Sequence, residues 1–298
     1  MQMSQTQRTV VVTGAAQGIG LAIAQAFAKQ GDFVALCDVN LAAAEQAASK
    51  LPHARAYQVD VTREGQVAAF FEQLLAERPA VDVLVNNAGL QYISPVQDFP
   101  PDKWNLLLAV MLTGPFLMSK HALPSMLAQQ SGRIINIASV HGKLASPYKS
   151  AYIAAKHGLI GLTRTLALET ANQGITANAI LPGAVRTSLV EKQLPQLAAQ
   201  DGISEEEALQ RHINPVHLDP AVARRAGHPD VFAQGMLGMG MLGGLLPSAR
   251  LWRFGVRFIS PIPLGDRPRL YQAGGTSRKL VLTNDKGDVR INGYAELN

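Results

Sequence analysis

Tyr152 and Lys156 stand four residues apart in SAYIAAKHGL, a stretch with helical patterning, so their side chains share one face. That spacing can do acid-base chemistry. A phenol is a poor base near neutral pH, with an unperturbed pKa of about 10, but a neighbouring cation favours the phenolate. Ser139, just past the apolar run GRIINIA, offers a hydroxyl to hold a substrate oxygen while that proton moves. A Tyr and a Lys on one helix are, by themselves, more often surface residues. What raises their weight lies upstream.

Thr13 to Gly20 read TGAAQGIG, directly after RTVVV and before a helical pattern. In this setting Gly14, Gln17, Gly18, Ile19 and Gly20 let backbone N–H groups and a helix N-terminus approach a pyrophosphate. A tight strand-to-helix turn is the plain alternative. Asp38 closes the second strand, 18 residues past Gly20. An acid there accepts from both ribose hydroxyls and repels a 2′-phosphate, so it predicts NAD rather than NADP, against the alternative of a solvated turn residue. Asp60, followed by Val61, ends the third strand, where it can meet an adenine edge or cap a helix beside Thr62. Asn87 and Gly89 of NNAG end the fourth strand and either let the chain pass close to a flat ligand or form a simple turn.

The elements that must position these residues are legible as short β-branched runs alternating with helical patterns. RTVVVT, FVALCD, ARAYQV, VDVLVN, GRIINIAS and ITANAIL read as strands. Between them lie helices at about 18–30, from about 41, at 63–77, near 102–129 and near 150–171. Six strands joined by helical crossovers predict an α/β fold, a doubly wound parallel sheet of Rossmann type. Gly31 and Gly174 fall where helices stop in left-handed backbone.

The 298 residues are 47% hydrophobic, ample for a buried core. One cysteine, Cys37, permits no internal disulfide, and the first ten residues lack a secretory apolar run, which together predict a cytoplasmic protein. The late apolar stretch at 235–246 is short of the ~20 residues that span a bilayer, so no membrane association is expected. The net charge of +5 arises entirely after residue 213: residues 1–213 hold 16 basic and 16 acidic side chains, and 214–298 hold 11 and 6. A neutral body with scattered tail arginines predicts no nucleic-acid partner. The rhythm of the chain also breaks there, since the tail carries 12 of the 26 glycines. Two regions are expected, a dinucleotide-binding domain over 1–213 and an atypical basic, Gly-rich segment over 214–298, in which KLVLTNDKGDVRING reads as one hairpin.

Together TGAAQGIG, NNAG, the serine of IINIAS and YIAAK resemble the short-chain dehydrogenase/reductase family over residues 8 to about 213. The resemblance implies catalytic Ser139, Tyr152 and Lys156, with Tyr152 as general acid/base and Lys156 lowering its pKa and binding a nicotinamide ribose. It also implies that Pro182, Gly183, Val185 and Thr187 contact the carboxamide of the cofactor, and that no metal is needed. Within the family, Gln91, His141, Lys149 and Gln193 are similar to the positions at which D-3-hydroxybutyrate dehydrogenases hold a small hydroxy acid. The physics agrees, because a carboxylate leaving water must be paired, and one cation with three neutral donors supplies charge-assisted hydrogen bonds. NAD-dependent interconversion of (R)-3-hydroxybutyrate and acetoacetate is the expected activity, in a homo-oligomer, by resemblance a tetramer.

The pattern departs in three places. Met111 stands where the family carries a relay asparagine, and a thioether has no donor. Ala184 replaces a tryptophan found in some hydroxybutyrate dehydrogenases. Nothing after Asn214 matches the family's closing helix and seventh strand, so a replacement of foreign or frame-altered origin is expected, leaving the sixth strand's edge uncovered unless the tail covers it.

Overall fold

The computed structural model describes residues 7–183, 191, 194–212, 232–233, 251–258, 262–263, 269–273, 277–283 and 289–297. Two compact units divide the chain, Met1–Gln200 and Asp201–Asn298.

In the first unit, β1 (Thr9–Thr13), β2 (Phe33–Asp38), β3 (Ala54–Gln58), β4 (Val83–Asn86), β5 (Gly132–Ile137) and β6 (Ile175–Ile180) form one parallel sheet in the order β3-β2-β1-β4-β5-β6. The helices are α1 (Gly18–Lys29), α2 (Leu41–Ala48), α3 (Glu64–Glu77), α4 (Pro101–Leu108), α5 (Gly114–Ala128) and α6 (Ser150–Glu169). Strand alternation sorts the core into two layers. Val10 and Val12 of β1 pack with Ala24 and Ala28 of α1 and with Ala47 of α2, while Val11 joins Phe70 and Leu74 of α3, Met118 of α5 and Leu166 of α6 on the other face. The parallel sheet, its helical crossovers and the six predicted strands agree with the sequence reading, and the structure supplies the strand order. Gly31 and Gly174 both have positive φ, 87° and 69°, as their helix-end positions require.

The single helix expected near 102–129 is interrupted. Between α4 and α5, Ala109–Thr113 forms a turn of π-helix that contains Met111. By length and composition Pro101–Ala128 is apolar enough to cross a membrane, but its buried side chains, among them Leu107, Met118 and Met126, are part of the core beside the sheet and α6.

Two further helices, Leu194–Asp201 and Glu205–His212, were not legible as apolar periodicity, although the second carries a local start signal. Ser204 and Glu207 form a capping box: the Glu207 carboxylate accepts from Ser204 N and Oγ at 2.9 Å each, and Ser204 Oγ accepts from Glu207 N at 3.2 Å. In the second unit, β11 (Ser277–Thr283) and β12 (Val289–Leu297) are the predicted hairpin. They belong to a larger antiparallel sheet in the order β10-β11-β12-β8, completed by β8 (Leu251–Phe258) and β10 (Arg269–Ala273). A two-stranded sheet pairs β7 (Phe232–Ala233) with β9 (Ile262–Pro263).

Candidate active site

The glycine turn between β1 and α1 is built by close packing of backbone on backbone. Gly14 (φ 61°) lies where an added Cβ would come 2.9 Å from Ala88 Cα, and a Cβ on Gly20 would come 2.2 Å from the Gly14 carbonyl oxygen. Neither neighbour is a flexible side-chain end, so both positions demand glycine. Gly18 (φ 57°) opens α1 and faces empty space. The Gln17 side chain caps none of the first N–H groups of α1, and no acidic residue lies in its first turn. The result is an open helix N-terminus with its partial positive charge free to meet an anion.

Asn87 fastens this turn to β4. Its Nδ2 donates to the carbonyls of Thr13 and Gly14 at 2.9 and 3.1 Å. Thr13 Oγ1 accepts from Asn87 N and Ala88 N, both at 3.0 Å. The sequence reading had assigned Thr13 no such role, and only its place at the end of β1 hints at it. Asp38 ends β2 with Oδ2 accepting from Ala16 N at 3.1 Å and Oδ1 accepting from Asn40 N at 3.0 Å, so it reaches the glycine turn from the adjoining strand. Asp60 is not a helix cap: α3 starts after Arg63, and Asp60 Oδ1 instead accepts from Thr62 N and Oγ1 at 2.9 and 2.7 Å. Val61 is buried against Gly114. Gly89 lies over Met111, whose sulfur would be 3.7 Å from an added Cβ. These features, the glycines a Cβ would obstruct, the uncapped helix end and the acid beside them, fit the pyrophosphate and ribose of a dinucleotide.

At the far side of the same sheet end, α6 carries the acid-base pair. Lys156 is 4% exposed, its Nζ donates to the Ile137 carbonyl at 2.7 Å and lies 5.7 Å from the centre of the Tyr152 ring. Burial pulls its ammonium down to about 8. Burial also pushes the Tyr152 phenol up, partly offset by a hydrogen bond with Ser139. Ser139 is buried at the start of a short 3-10 turn and accepts from His141 N at 3.2 Å through Oγ. The three residues that the motifs singled out are therefore brought together.

His141 meets Tyr152 edge to face, with ring centres 6.1 Å apart. Its imidazole is held toward the neutral form, first by burial and then by Lys149. Lys149 precedes α6 and is itself shifted down by burial, with no carboxylate partner among the described residues. Gln91 Oε1 and His141 Nδ1 are buried atoms without a hydrogen-bond partner among the described residues. Tyr148 holds φ at 65°, an uncommon value for a non-glycine residue, and its carbonyl accepts from Ser94 N at 3.0 Å. Pro182, whose carbonyl accepts from Val140 N at 2.9 Å, and Gly183 follow β6 on this side. Ala184, Val185, Thr187 and Gln193 lie outside the described residues. No cluster of metal-ligating side chains occurs among the described residues.

A family model described as short chain dehydrogenase matches residues 8–198. A D-beta-hydroxybutyrate dehydrogenase of Rhizobium meliloti (strain 1021) is 43% identical over 208 residues, covering 68% of this chain and 81% of that protein. An uncharacterized oxidoreductase, YxjF, of Bacillus subtilis (strain 168) is 46% identical over 214 residues, covering 70% and 83%. Among solved structures, an NAD+-bound xylitol dehydrogenase is similar with a TM-score of 0.62 and 36% identity, covering 64% of this chain and 76% of that one. With a dinucleotide turn, a Ser-Tyr-Lys cluster and a family match over the whole sheet, the chain belongs to the short-chain dehydrogenase family and is a nicotinamide-dependent oxidoreductase.

Proposed function

We propose that the protein interconverts (R)-3-hydroxybutyrate and acetoacetate with NAD as cofactor. The observation that carries the reading is Lys149, a cation drawn out of water beside His141 and Tyr152 with no carboxylate partner among the described residues. An unpaired charge drawn partly out of water is costly, and an anionic substrate would relieve it. The unpartnered Gln91 Oε1 and His141 Nδ1 add polar contacts for the same small molecule, and Gln193 is assigned to it by its sequence position. The Rhizobium relative supports the substrate class.

The cofactor reading assigns the pyrophosphate to Gly14, Gln17, Gly18, Ile19 and Gly20, the ribose hydroxyls to Asp38, and the adenine side to Asp60 and Val61. Asp38 supports NAD over NADP, because a 2′-phosphate would meet its carboxylate. Asn87 and Gly89 shape the floor, Lys156 binds the second ribose, and Pro182, Gly183, Val185 and Thr187 hold the carboxamide. When bound, the nicotinamide ring takes up hydride from the substrate carbon.

The chain's own residues manage the proton. Ser139 orients the substrate oxygen, and Tyr152 takes the hydroxyl proton as base and returns it in the reverse direction. Lys156 holds positive charge beside the phenolate. Met111, fully buried among Leu107, Ala151 and Ala155, provides no polar route, so this reading takes the proton out by way of Lys156 and a bridging oxygen. A homo-oligomer, by family resemblance a tetramer, is supported by exposed apolar side chains on the helices, Leu106, Phe116 and Leu168.

The test is NADH formation with a panel of 3-hydroxy acids and polyols. (R)-3-hydroxybutyrate should be turned over, Tyr152→Phe should lower kcat/KM by ~10²-fold or more, and Lys149→Ala should raise KM for the acid far more than for a neutral alcohol. Unchanged kinetics in Lys149→Ala would transfer the assignment to a longer 3-oxoacyl or polyol substrate. Cofactor binding without turnover of any substrate would leave only a nucleotide-binding role.

A further inference from the structure

Where the sheet meets α5 and α6, the apolar layer is broken by four polar side chains that no binding or proton-transfer role has claimed. Asn86 (3% exposed), Ser119 (1%), Asn136 (0%) and Thr163 (5%) lie inside the core. Asn86 and Asn136 face each other across neighbouring parallel strands. Asn86 Nδ2 donates to Asn136 Oδ1 at 2.8 Å and to Ser119 Oγ at 3.4 Å, and Asn136 Nδ2 donates to Thr163 Oγ1 at 2.8 Å. Thr163 Oγ1 passes the chain on by donating to the Leu159 carbonyl at 2.7 Å. Asn86 Oδ1 has no partner among the described residues. Valine or leucine at these positions would bury equally well without the desolvation of two amides.

The residues next to this chain are those the chemistry uses. Asn136 is followed by Ile137, whose carbonyl is the acceptor for the Lys156 ammonium, and Asn86 by Asn87, which fastens the glycine turn. Thr163 lies seven residues past Lys156 on the same helix, two turns along one face, with Leu159 between them. The end of β5 therefore grips α6 twice, once by the Asn136 amide and once by the Ile137 carbonyl. Apolar contact is non-directional and permits helix and strand to slide by a fraction of a turn, whereas a paired amide and hydroxyl have one register.

We infer that Asn136 and Thr163 are positioning residues: the Asn86–Asn136–Thr163 chain sets the register of α6 on β5 and thereby places Lys156 under Tyr152. This rests on the dehydrogenase reading for its kinetic consequence but not for its geometry. Misplacement by about 1 Å at such a site costs on the order of 10²-fold in rate.

The experiment compares Thr163→Val, Thr163→Ser and Asn136→Leu with the parent full-length protein. The Lys156 side chain is followed by carbon-13 NMR of labelled lysine in the cofactor-free protein, and kcat, KM and the pH-rate profile are measured alongside. Thr163→Val and Asn136→Leu should move the Lys156 titration away from its parent position and lower kcat by ~10- to 10²-fold with KM within about twofold, while Thr163→Ser restores both. A variant that melts earlier but keeps the parent lysine titration and pH-rate profile overturns the inference and reduces the chain to core packing. Should Asn136→Leu not fold, the Thr163 pair decides. Absence of turnover in the parent protein refutes the dehydrogenase reading alone, because the lysine titration still tests the register.

Discussion

Lys156 is 4% exposed and, among the described residues, has one hydrogen-bond partner, the Ile137 carbonyl. Its folded pKa of about 8 lies below the ordinary lysine value of 10.5, so between those pH values the unfolded chain holds more protons than the folded one. Stability therefore rises as pH increases through that window, and at neutral pH the buried ammonium costs on the order of 3 kcal/mol. Replacing it with an uncharged isostere should remove the cost. Lys156→Met is expected to be more stable than the parent to denaturant at about pH 7, with the advantage shrinking by about pH 9.5. A difference that stays constant with pH would show that the lysine is not desolvated. Activity should respond in the opposite sense: Lys156→Met loses turnover because no cation then faces the Tyr152 phenolate.

At the scale of elements, the turn between β1 and α1 joins sequence and ligand most directly. Gly20→Ala places a Cβ 2.2 Å from the Gly14 carbonyl oxygen, a backbone atom that cannot swing aside. The expected result is a loss of about 1–3 kcal/mol in stability and at least tenfold weaker NAD binding by titration calorimetry. Gly161→Ala is the matched control, since Gly161 is helical and nothing lies within 4 Å of its Cβ position. It should stabilise by about 0.5–1 kcal/mol with unchanged NAD affinity. Equal binding losses in both variants would separate NAD affinity from the geometry of the turn. The strands, the helices and these glycines were readable because each imposes a local pattern. The π-helical turn at Ala109–Thr113 was not, because AVMLT continues the helical apolar pattern and the extra residue follows from how the helix seats against its neighbours.

For the whole molecule, the consequential feature is the edge of the parallel sheet. β6 pairs only with β5 among the described residues, and Thr176 and Asn178 on it are exposed. An edge with free backbone donors and acceptors invites pairing with another chain. Asn178→Lys should therefore reduce concentration-dependent association in light scattering, with unchanged far-ultraviolet circular dichroism. Identical scattering by parent and variant would show that this edge is not the route of association. The second unit, Asp201–Asn298, forms an antiparallel sheet of its own, of which only the hairpin of β11 and β12 was legible from the sequence. β8 escaped notice because its pairing partner, β12, is distant in sequence and LWRFGVRF carries no adjacent turn signal, whereas β10 pairs with the neighbouring β11 and was a hairpin the sequence reading passed over.

Sequence by itself determined the family, the doubly wound sheet and the identity of the Ser139, Tyr152 and Lys156 cluster, because glycine spacing, strand alternation and a four-residue helical interval are local rules that need no partner. It also marked Lys149 and His141 as candidates. The tertiary structure decided what contact between distant segments controls: that Asp60 holds Thr62 rather than capping α3, that Thr13 supports Asn87, and that the carbonyl of Ile137 carries Lys156. A backbone carbonyl has no residue type by which a sequence could announce it. The Asn86–Asn136–Thr163 chain is of the same kind: three unremarkable residues, separated by 50 and 27 positions, become one device only when β4, β5 and α6 are laid side by side.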